Sequence, residues 1–321
     1  MSILAYIAAM SMSNSTCLFL GTSAFSIPSA EALLASGVCT LLGVVTQPDK
    51  PAGRGQQLAT SPMAAWARER RIPLWQPATK QELTALVREC APDVAVVVAY
   101  GRIIAADALA IPPHGFVNLH PSLLPRWRGP SPIAAAIAAG DQETGVTVMR
   151  IDDQMDHGPI LAQERTPLLP HVTRTQLEQD LAKQGATLLA RTLSAHLAGD
   201  IIPKPQDDAQ TTVCPLLSKE DGRILWNESA LVIERKIRAY EGWPGTWMEL
   251  PNGKRLKILT VEIEGTTDAN PGTIARDAHG RMVVACGEKK TFVLLQVQPE
   301  GKQPMDGASF LRGYNGPMQC N

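Results

Sequence analysis

Residues 93–100 read DVAVVVAY, an unbroken apolar run closed at each end by a polar residue. A strand that buries only one face alternates apolar with polar residues, so a continuous run belongs to a strand covered on both faces. Such a strand needs helices above and below its sheet, and its surroundings supply them. Upstream, the strand-like TCLFLG (16–21) and CTLLGVVTQ (39–47) are separated by SIPSAEALLASG (26–37), whose apolar residues recur at helical spacing. Two further helical stretches, SPMAAWARERR (61–71) and QELTALVREC (81–90), lead into the central run. Downstream, GFVNLH (115–120) and GVTVMRID (145–152) are two more strands. A long helix then spans 174–199, with Leu177, Leu181, Leu188, Leu189 and Leu193 on one stripe. Strands alternating with helices at this spacing predict an α/β domain built on a parallel sheet.

The texture changes after that helix. IIPKPQDDAQTT (201–212) has two prolines, adjacent aspartates and little apolar content, as a linker has. Beyond it the pattern predicts one short helix, capped by Asn227 and carrying Ala230, Ile233, Ile237 and Tyr240 on one face. The runs 246–250, 255–265, 271–286 and 289–299 then read as strands separated by turns, a small all-β domain of barrel type. The expected organisation is an N-terminal extension (1–15), an α/β catalytic domain (16–198), a linker (199–210) and a C-terminal β-barrel (211–321). A length of 321 residues suits two domains.

Composition excludes several classes. At 45% hydrophobic and 19% charged, the chain can build real cores and is not intrinsically disordered. Thirty basic residues against 31 acidic give a formal charge of −1, so any polyanion site is local rather than global. The six cysteines are scattered without a C-x-x-C pair, which predicts reduced, mostly buried thiols in a cytoplasmic protein. No apolar run reaches the roughly 18–20 residues of a membrane helix. The start, MSILAYIAAMSMSNS, lacks the basic residues of a secretory or transit signal and reads as an extension upstream of Met12.

Chemistry-bearing residues are densest between 116 and 160. Asn118 and His120 lie two apart at the end of a predicted strand, hence on one side of it. Open α/β sheets place ligands at the carboxyl ends of their strands, where an amide and an imidazole together suit a developing oxyanion. The prolines at 121, 125, 130 and 132 predict a stiff wall with accessible backbone groups, and Leu123, Leu124 and Trp127 make it more apolar than a solvated loop. In DQMDHG (153–158), Asp156 can pair with the imidazole and accept a proton from an attacking nucleophile, whereas Asp152 and Asp153 read as solvated turn residues. A metal set of His120, Asp156 and His157 lacks both cysteine support and a His-x-x-x-His pair. A serine nucleophile at Ser122 or Ser131 lacks the G-x-S-x-G elbow. No G-x-G-x-x-G follows the first strand, which excludes a dinucleotide-dependent dehydrogenase.

NLHPSLLPRWRG (118–129), GDQETGVTVM (140–149) and MDHG (155–158) together resemble the formyltransferases that use 10-formyltetrahydrofolate. TQPDKPAGRGQQLATSPM (46–63), VVVAYGRII (96–104), LSKEDGRILWN (217–227) and IRAYEGWPGTW (237–247) are similar to the branch of that family acting on methionyl-tRNA. The likeness runs through residues 16–312 in the family's order.

What it implies is a Rossmann-like formyltransferase domain followed by an OB-fold-like barrel, transferring formyl to the α-amine of methionine on initiator tRNA. The matching positions make Asn118, His120 and Asp156 catalytic, with Asn118 and the imidazolium of His120 stabilising the oxyanion and Asp156 relaying the proton. Ser122, Leu123, Leu124 and Pro125 would contact the folate, and Arg54, in a loop over 47–58, the tRNA acceptor end. The folate is a cosubstrate; no tightly bound cofactor and no metal are expected, and the protein is expected to be a cytoplasmic monomer without membrane contact. An amino sugar nucleotide or glycinamide ribonucleotide is the alternative acceptor. Two departures stand out: Gly21-Thr22-Ser23-Ala24-Phe25 replaces the usual Gly-Thr-Pro-Asp/Glu-Phe, and Gln56 and Gln57 replace two basic residues. Arg235, Lys236, Arg238, Lys254, Arg255 and Lys257 crowd two neighbouring elements of the second domain and suggest a local basic stripe.

Overall fold

The computed structural model describes residues 15–52, 57–316 and 318–319, with backbone alone for 50–52 and 57–58. The extension before residue 15 lies outside the described residues, as do Arg54 and Gln56. Contacts divide the chain into two compact units, one formed by residues 1–132, 143–167 and 178–214 and the other by 133–142, 168–177 and 215–321.

The first unit is a mixed sheet. Its strands are β1 (Thr16–Gly21), β2 (Thr40–Val45), the short β3 (Lys50–Ala52) and β4 (Gln57–Ala59), β5 (Leu74–Trp75), β6 (Val94–Val98), β7 (Phe116–His120), β8 (Glu143–Arg150) and β9 (Ile160–Pro167). Seven of them form one sheet in the order β5-β2-β1-β6-β7-β8-β9. Strands β5 through β7 run parallel, and all of β6 is buried, as its unbroken apolar run requires. Strand β8 runs antiparallel to β7, and the edge strand β9 antiparallel to β8, so the parallel core carries a mixed edge. An antiparallel edge on a parallel sheet is a common variant of this architecture. Strand β9 escapes the hydrophobic pattern because it is an edge: of its eight residues only Leu161 is buried. The chain leaves β1 toward β2 and returns to β6 on the other side of β1, so the crevice opens where the order reverses.

Local signals place the helices. In α1 (Ile27–Ser36), Pro28 sits in the first turn and Gly37 ends the helix at φ +60°. Ser61 caps α2 (Pro62–Glu69) by accepting from the Ala64 N–H at 3.2 Å. Thr79 caps α3 (Lys80–Cys90) through the Glu82 N–H at 3.1 Å, while the Glu82 carboxylate reaches back to the Ala78 N–H at 2.7 Å. The stretch read as a loop over 47–58 includes a short antiparallel ribbon, β3 with β4, in the register Lys50↔Ala59 to Ala52↔Gln57. At its base Asp49 accepts from Gln76 (2.9 Å) and Arg68 (3.2 Å), which hold its carboxyl below the usual range. The five described cysteines are all buried and free.

The C-terminal part of the second unit is an antiparallel sheet ordered β10-β11-β14-β13-β12, from β10 (Thr246–Glu249), β11 (Arg255–Thr266), β12 (Ile274–Arg276), β13 (Met282–Ala285) and β14 (Lys290–Pro299). Three register shifts along the twelve residues of β11 bend the sheet toward a barrel. One helix of this unit, Ala230–Ala239, packs Ile233 and Ile237 into a core with Trp226, Leu256, Phe292 and Val297. Each such side chain contributes about 1.5–3 kcal/mol when fully buried. The residue that caps this helix is Ser229, accepting from the Val232 N–H at 3.3 Å, rather than Asn227. Asn227 lies two residues too early for its side chain to reach the first free amides.

Candidate active site

The carboxyl ends of β1, β6 and β7 form one edge of the α/β unit. After β6 the chain turns sharply, with Ala99 at φ +47° and Gly101 at φ +76°. Tyr100 is buried there, and burial pushes its phenol up. Its carbonyl accepts from the Thr22 hydroxyl (2.9 Å) and the Gln47 amide (2.8 Å), tying the ends of β1, β2 and β6 together. Thr22 thus gives the departing Gly-Thr-Ser-Ala-Phe segment a structural anchor.

Asn118 and His120 project from the end of β7. Asn118 is half-buried, and its carboxamide has no hydrogen-bond partner among the described residues. His120 is buried, with Nε2 2.9 Å from the Trp127 carbonyl and Nδ1 3.6 Å from Asp156 Oδ1. An acceptor opposite Nε2 requires the proton there, leaving Nδ1 toward the carboxylate. Asp156 itself has φ +50°, unusual for a residue with a side chain, and its Oδ2 accepts from the Gly129 N–H at 2.8 Å. Gly129 is required where it stands: φ is +119° and a Cβ would lie 2.2 Å from the Cys214 carbonyl oxygen.

Structure and sequence meet differently in the proline loop. The side chains of Ser122 and Leu124 are buried in the loop's own framework, whereas Leu123 and Pro125 remain partly accessible. The Ser122 hydroxyl donates to the Arg126 carbonyl at 2.6 Å. Thr147 donates to the Ser122 carbonyl (2.6 Å) and accepts from the Leu124 N–H (3.2 Å), while Gln163 donates to the Leu124 carbonyl at 2.7 Å. These bonds stiffen the wall beside His120. Trp127, at φ +61°, carries the Arg126 guanidinium 4.4 Å above its ring.

Asp152 is not a solvated turn residue. It bonds His157 Nδ1 at 2.6 Å, and the opposite ring nitrogen lies 3.6 Å from Asp208. The hydrogen bond to Asp152 is the main cause that raises the His157 pKa above the ordinary histidine range. Asp208 in turn pairs with the buried Arg128 at 2.8 Å, and that hydrogen bond holds its carboxyl below the usual range. Sequence reasoning missed Arg128, Gln206 and Asp208: two of them lie in the stretch read as a linker, and polarity alone does not distinguish solvated from engaged residues. Among the described residues no group of three or more His, Cys, Asp or Glu side chains could hold a metal ion, and no helix is long and apolar enough to cross a membrane.

The basic stripe is largely engaged within the second unit, which includes residues 133–142. Lys236 pairs with Glu228 at 2.6 Å, Arg238 with Glu234 at 2.6 Å, and Arg235 reaches the Ala139 carbonyl at 3.4 Å. Arg255 lies 4.1 Å over the Trp247 ring, which leaves Lys254 and Lys257 exposed beside it.

The formyl transferase model matches residues 16–193, and the model for the formyl transferase C-terminal domain matches residues 216–315. The methionyl-tRNA formyltransferase of Chloroflexus aggregans is 44% identical over 304 residues, covering 94% of this chain and 97% of the relative. That of Roseiflexus castenholzii is 46% identical over 302 residues, covering 92% and 95%. Among solved structures, HypX of Aquifex aeolicus in complex with tetrahydrofolic acid superposes with a TM-score of 0.65 at 16% identity, over 93% of this chain and 47% of that one. An N-formyltransferase of Helicobacter canadensis superposes at 0.63 with 14% identity, over 89% and 99%. These two likenesses extend to the fold. With both family models matched and relatives above 40% identity along almost all of its length, the chain belongs to the formyl transferase family.

Proposed function

We propose that this protein transfers the formyl group of 10-formyltetrahydrofolate to the α-amine of methionine on initiator methionyl-tRNA, in translation initiation. The observation that carries the chemistry is the convergence of Asn118, His120 and Asp156 at the carboxyl end of β7, in a chain that shares 40–46% identity with methionyl-tRNA formyltransferases. A free α-amine titrates near about 8, so a nucleophilic fraction is present at neutral pH. It attacks the formyl carbon directly, without a covalent enzyme intermediate. Charge then grows on the formyl oxygen, where the open carboxamide of Asn118 donates a hydrogen bond.

Both nitrogens of His120 already face protein acceptors. Its contribution to the oxyanion is the positive charge of the ring beside the reacting carbon. The proton lost by the attacking amine passes to the His120–Asp156 pair and from there to the departing folate nitrogen, so the transfer needs no external acid. Leu123 and Pro125, with the backbone of Ser122 and Leu124, form the wall for the folate. Arg54, which lies between β3 and β4 in the sequence, engages the acceptor end of the tRNA. The protein acts as a monomer in the cytoplasm, with no tightly bound cofactor, no metal and no membrane.

The deciding assay supplies purified protein with 10-formyltetrahydrofolate and either initiator or elongator methionyl-tRNA. Formylation of the initiator species in preference to the elongator is expected, and Arg54→Ala should lower that rate while leaving folate binding intact. Formylation of an amino sugar nucleotide with neither tRNA modified would overturn the acceptor assignment.

A further inference from the structure

Residues 201–212 carry the composition of a linker, yet from Lys204 to Cys214 the chain runs through the hydrogen-bond framework of the α/β unit. The backbone of Lys204 exchanges hydrogen bonds with Ile160 at 2.8 and 2.9 Å. Thr212 accepts from the Trp127 N–H on its side chain (2.9 Å) and from the Arg128 N–H on its carbonyl (2.9 Å), and the Cys214 N–H bonds the Arg128 carbonyl at 2.8 Å. The segment is a strap across the two loops that carry the site.

Gln206 lies at the centre of this strap. Its Nε2 donates to two carbonyls, those of Asp156 (2.9 Å) and Gly158 (2.8 Å). Its Oε1 accepts from both Nε (3.0 Å) and Nη2 (2.9 Å) of Arg128. Because Arg is purely a donor and a carbonyl purely an acceptor, only one orientation of the amide satisfies all four contacts. Arg128 is buried and neutralised by Asp208, so the orienting end is itself fixed. At the other end, Asp156 needs such support. A non-glycine residue at positive φ persists only where its surroundings over-determine it. Gln206 grips the backbone of Asp156 and the Gly129 N–H grips its carboxylate, which together aim Oδ1 at His120.

We propose that Gln206 is a positioning residue for formyl transfer, holding the Asp156–Gly158 backbone so that the Asp156 carboxylate stays aimed at His120. The proposal rests on the catalytic role assigned above to Asp156. Gln206→Glu keeps an oxygen for Arg128 but sets a second oxygen against two carbonyls; Gln206→Met keeps the volume and removes every hydrogen bond. A misplacement of about 1 Å can cost about a hundredfold in rate, so both variants should lose about 10- to 100-fold in kcat, with the KM for folate and for tRNA within about twofold.

The decisive measurement is a double-mutant cycle with Asp156→Asn, read in single-turnover formylation alongside folate binding and thermal melting. If Gln206 acts through Asp156, its substitution costs little once that carboxylate is gone, and the cycle is strongly non-additive. Additive losses in kcat, wild-type kcat in both variants, or loss of folate binding in both would overturn the proposal. Wild-type protein that formylates no tRNA would instead count against the function proposed above, a separable outcome.

Discussion

Asp156→Asn isolates the carboxylate charge from the architecture that holds it. An asparagine at 156 still offers one oxygen to the Gly129 N–H, now 2.8 Å from Oδ2, and turns its NH₂ toward His120. With the His120 proton on Nε2, bonded to the Trp127 carbonyl at 2.9 Å, Nδ1 presents a lone pair that can receive that NH₂. The loop therefore keeps its bonds, and the fold should survive. What disappears is the proton acceptor and a negative charge 3.6 Å from the ring. Coulomb's law at an effective dielectric of about 20 puts the lost attraction for an imidazolium at about 5 kcal/mol, an upper bound because Asp156 is partly accessible. Removing a positioned acid–base group typically costs 10²–10⁴ in rate, about 3–5 kcal/mol, so two independent routes agree. The expected outcome is a kcat about a thousandfold down in single-turnover formylation, with folate affinity and melting temperature close to wild type. A kcat within tenfold of wild type would refute the proton-relay role. A collapse of the melting temperature would show that the charge holds the loop rather than moves the proton.

The remaining expectations concern the surroundings of that pair. Asn118→Ala should lower kcat by about 10²–10³ with little change in the melt, because the carboxamide makes no hydrogen bond among the described residues; a near wild-type rate removes the oxyanion assignment. Gly129→Ala should destabilise the protein and lower kcat together, since the new methyl collides with the Cys214 carbonyl and displaces the N–H that holds Asp156; a wild-type melt with full activity contradicts this. For His157 the pKa is raised by Asp152, so its stabilisation is fully present below the ordinary value near about 6.5 and is lost as pH rises through the folded value. The difference in melting temperature between wild type and His157→Gln should therefore be widest in mild acid and shrink in alkali, and a gap independent of pH would break the assignment.

The fold was legible where burial leaves a pattern. The run from Val94 to Val98 is wholly buried and signalled itself, and the leucine stripe of residues 177–193 fits the helix Arg174–Leu197. Strand β9 left no such trace, because an edge strand with one buried residue reads like any polar segment, and with it went the reversal of β8 between β7 and β9. At the site, the spacing of Asn118 and His120 along a strand placed both on one face without knowledge of the fold. That an acidic residue of 152–156 could pair with an imidazole was legible from its chemistry, but the assignment of Asp156 to His120, 36 residues away, as catalytic partners came from resemblance, since no local rule joins a strand end to a distant turn. The strap around Gln206 was illegible for a deeper reason. Pro203, Pro205, Gln206, Asp207 and Asp208 have the composition of a solvated connector, and the same polarity serves equally to satisfy a buried guanidinium and two backbone carbonyls. Hydrophobic pattern reports which residues avoid water; it cannot report which polar residues have exchanged water for one another. The residues that aim the catalytic pair are of that second kind, so the support of this site becomes visible only once the partners have coordinates.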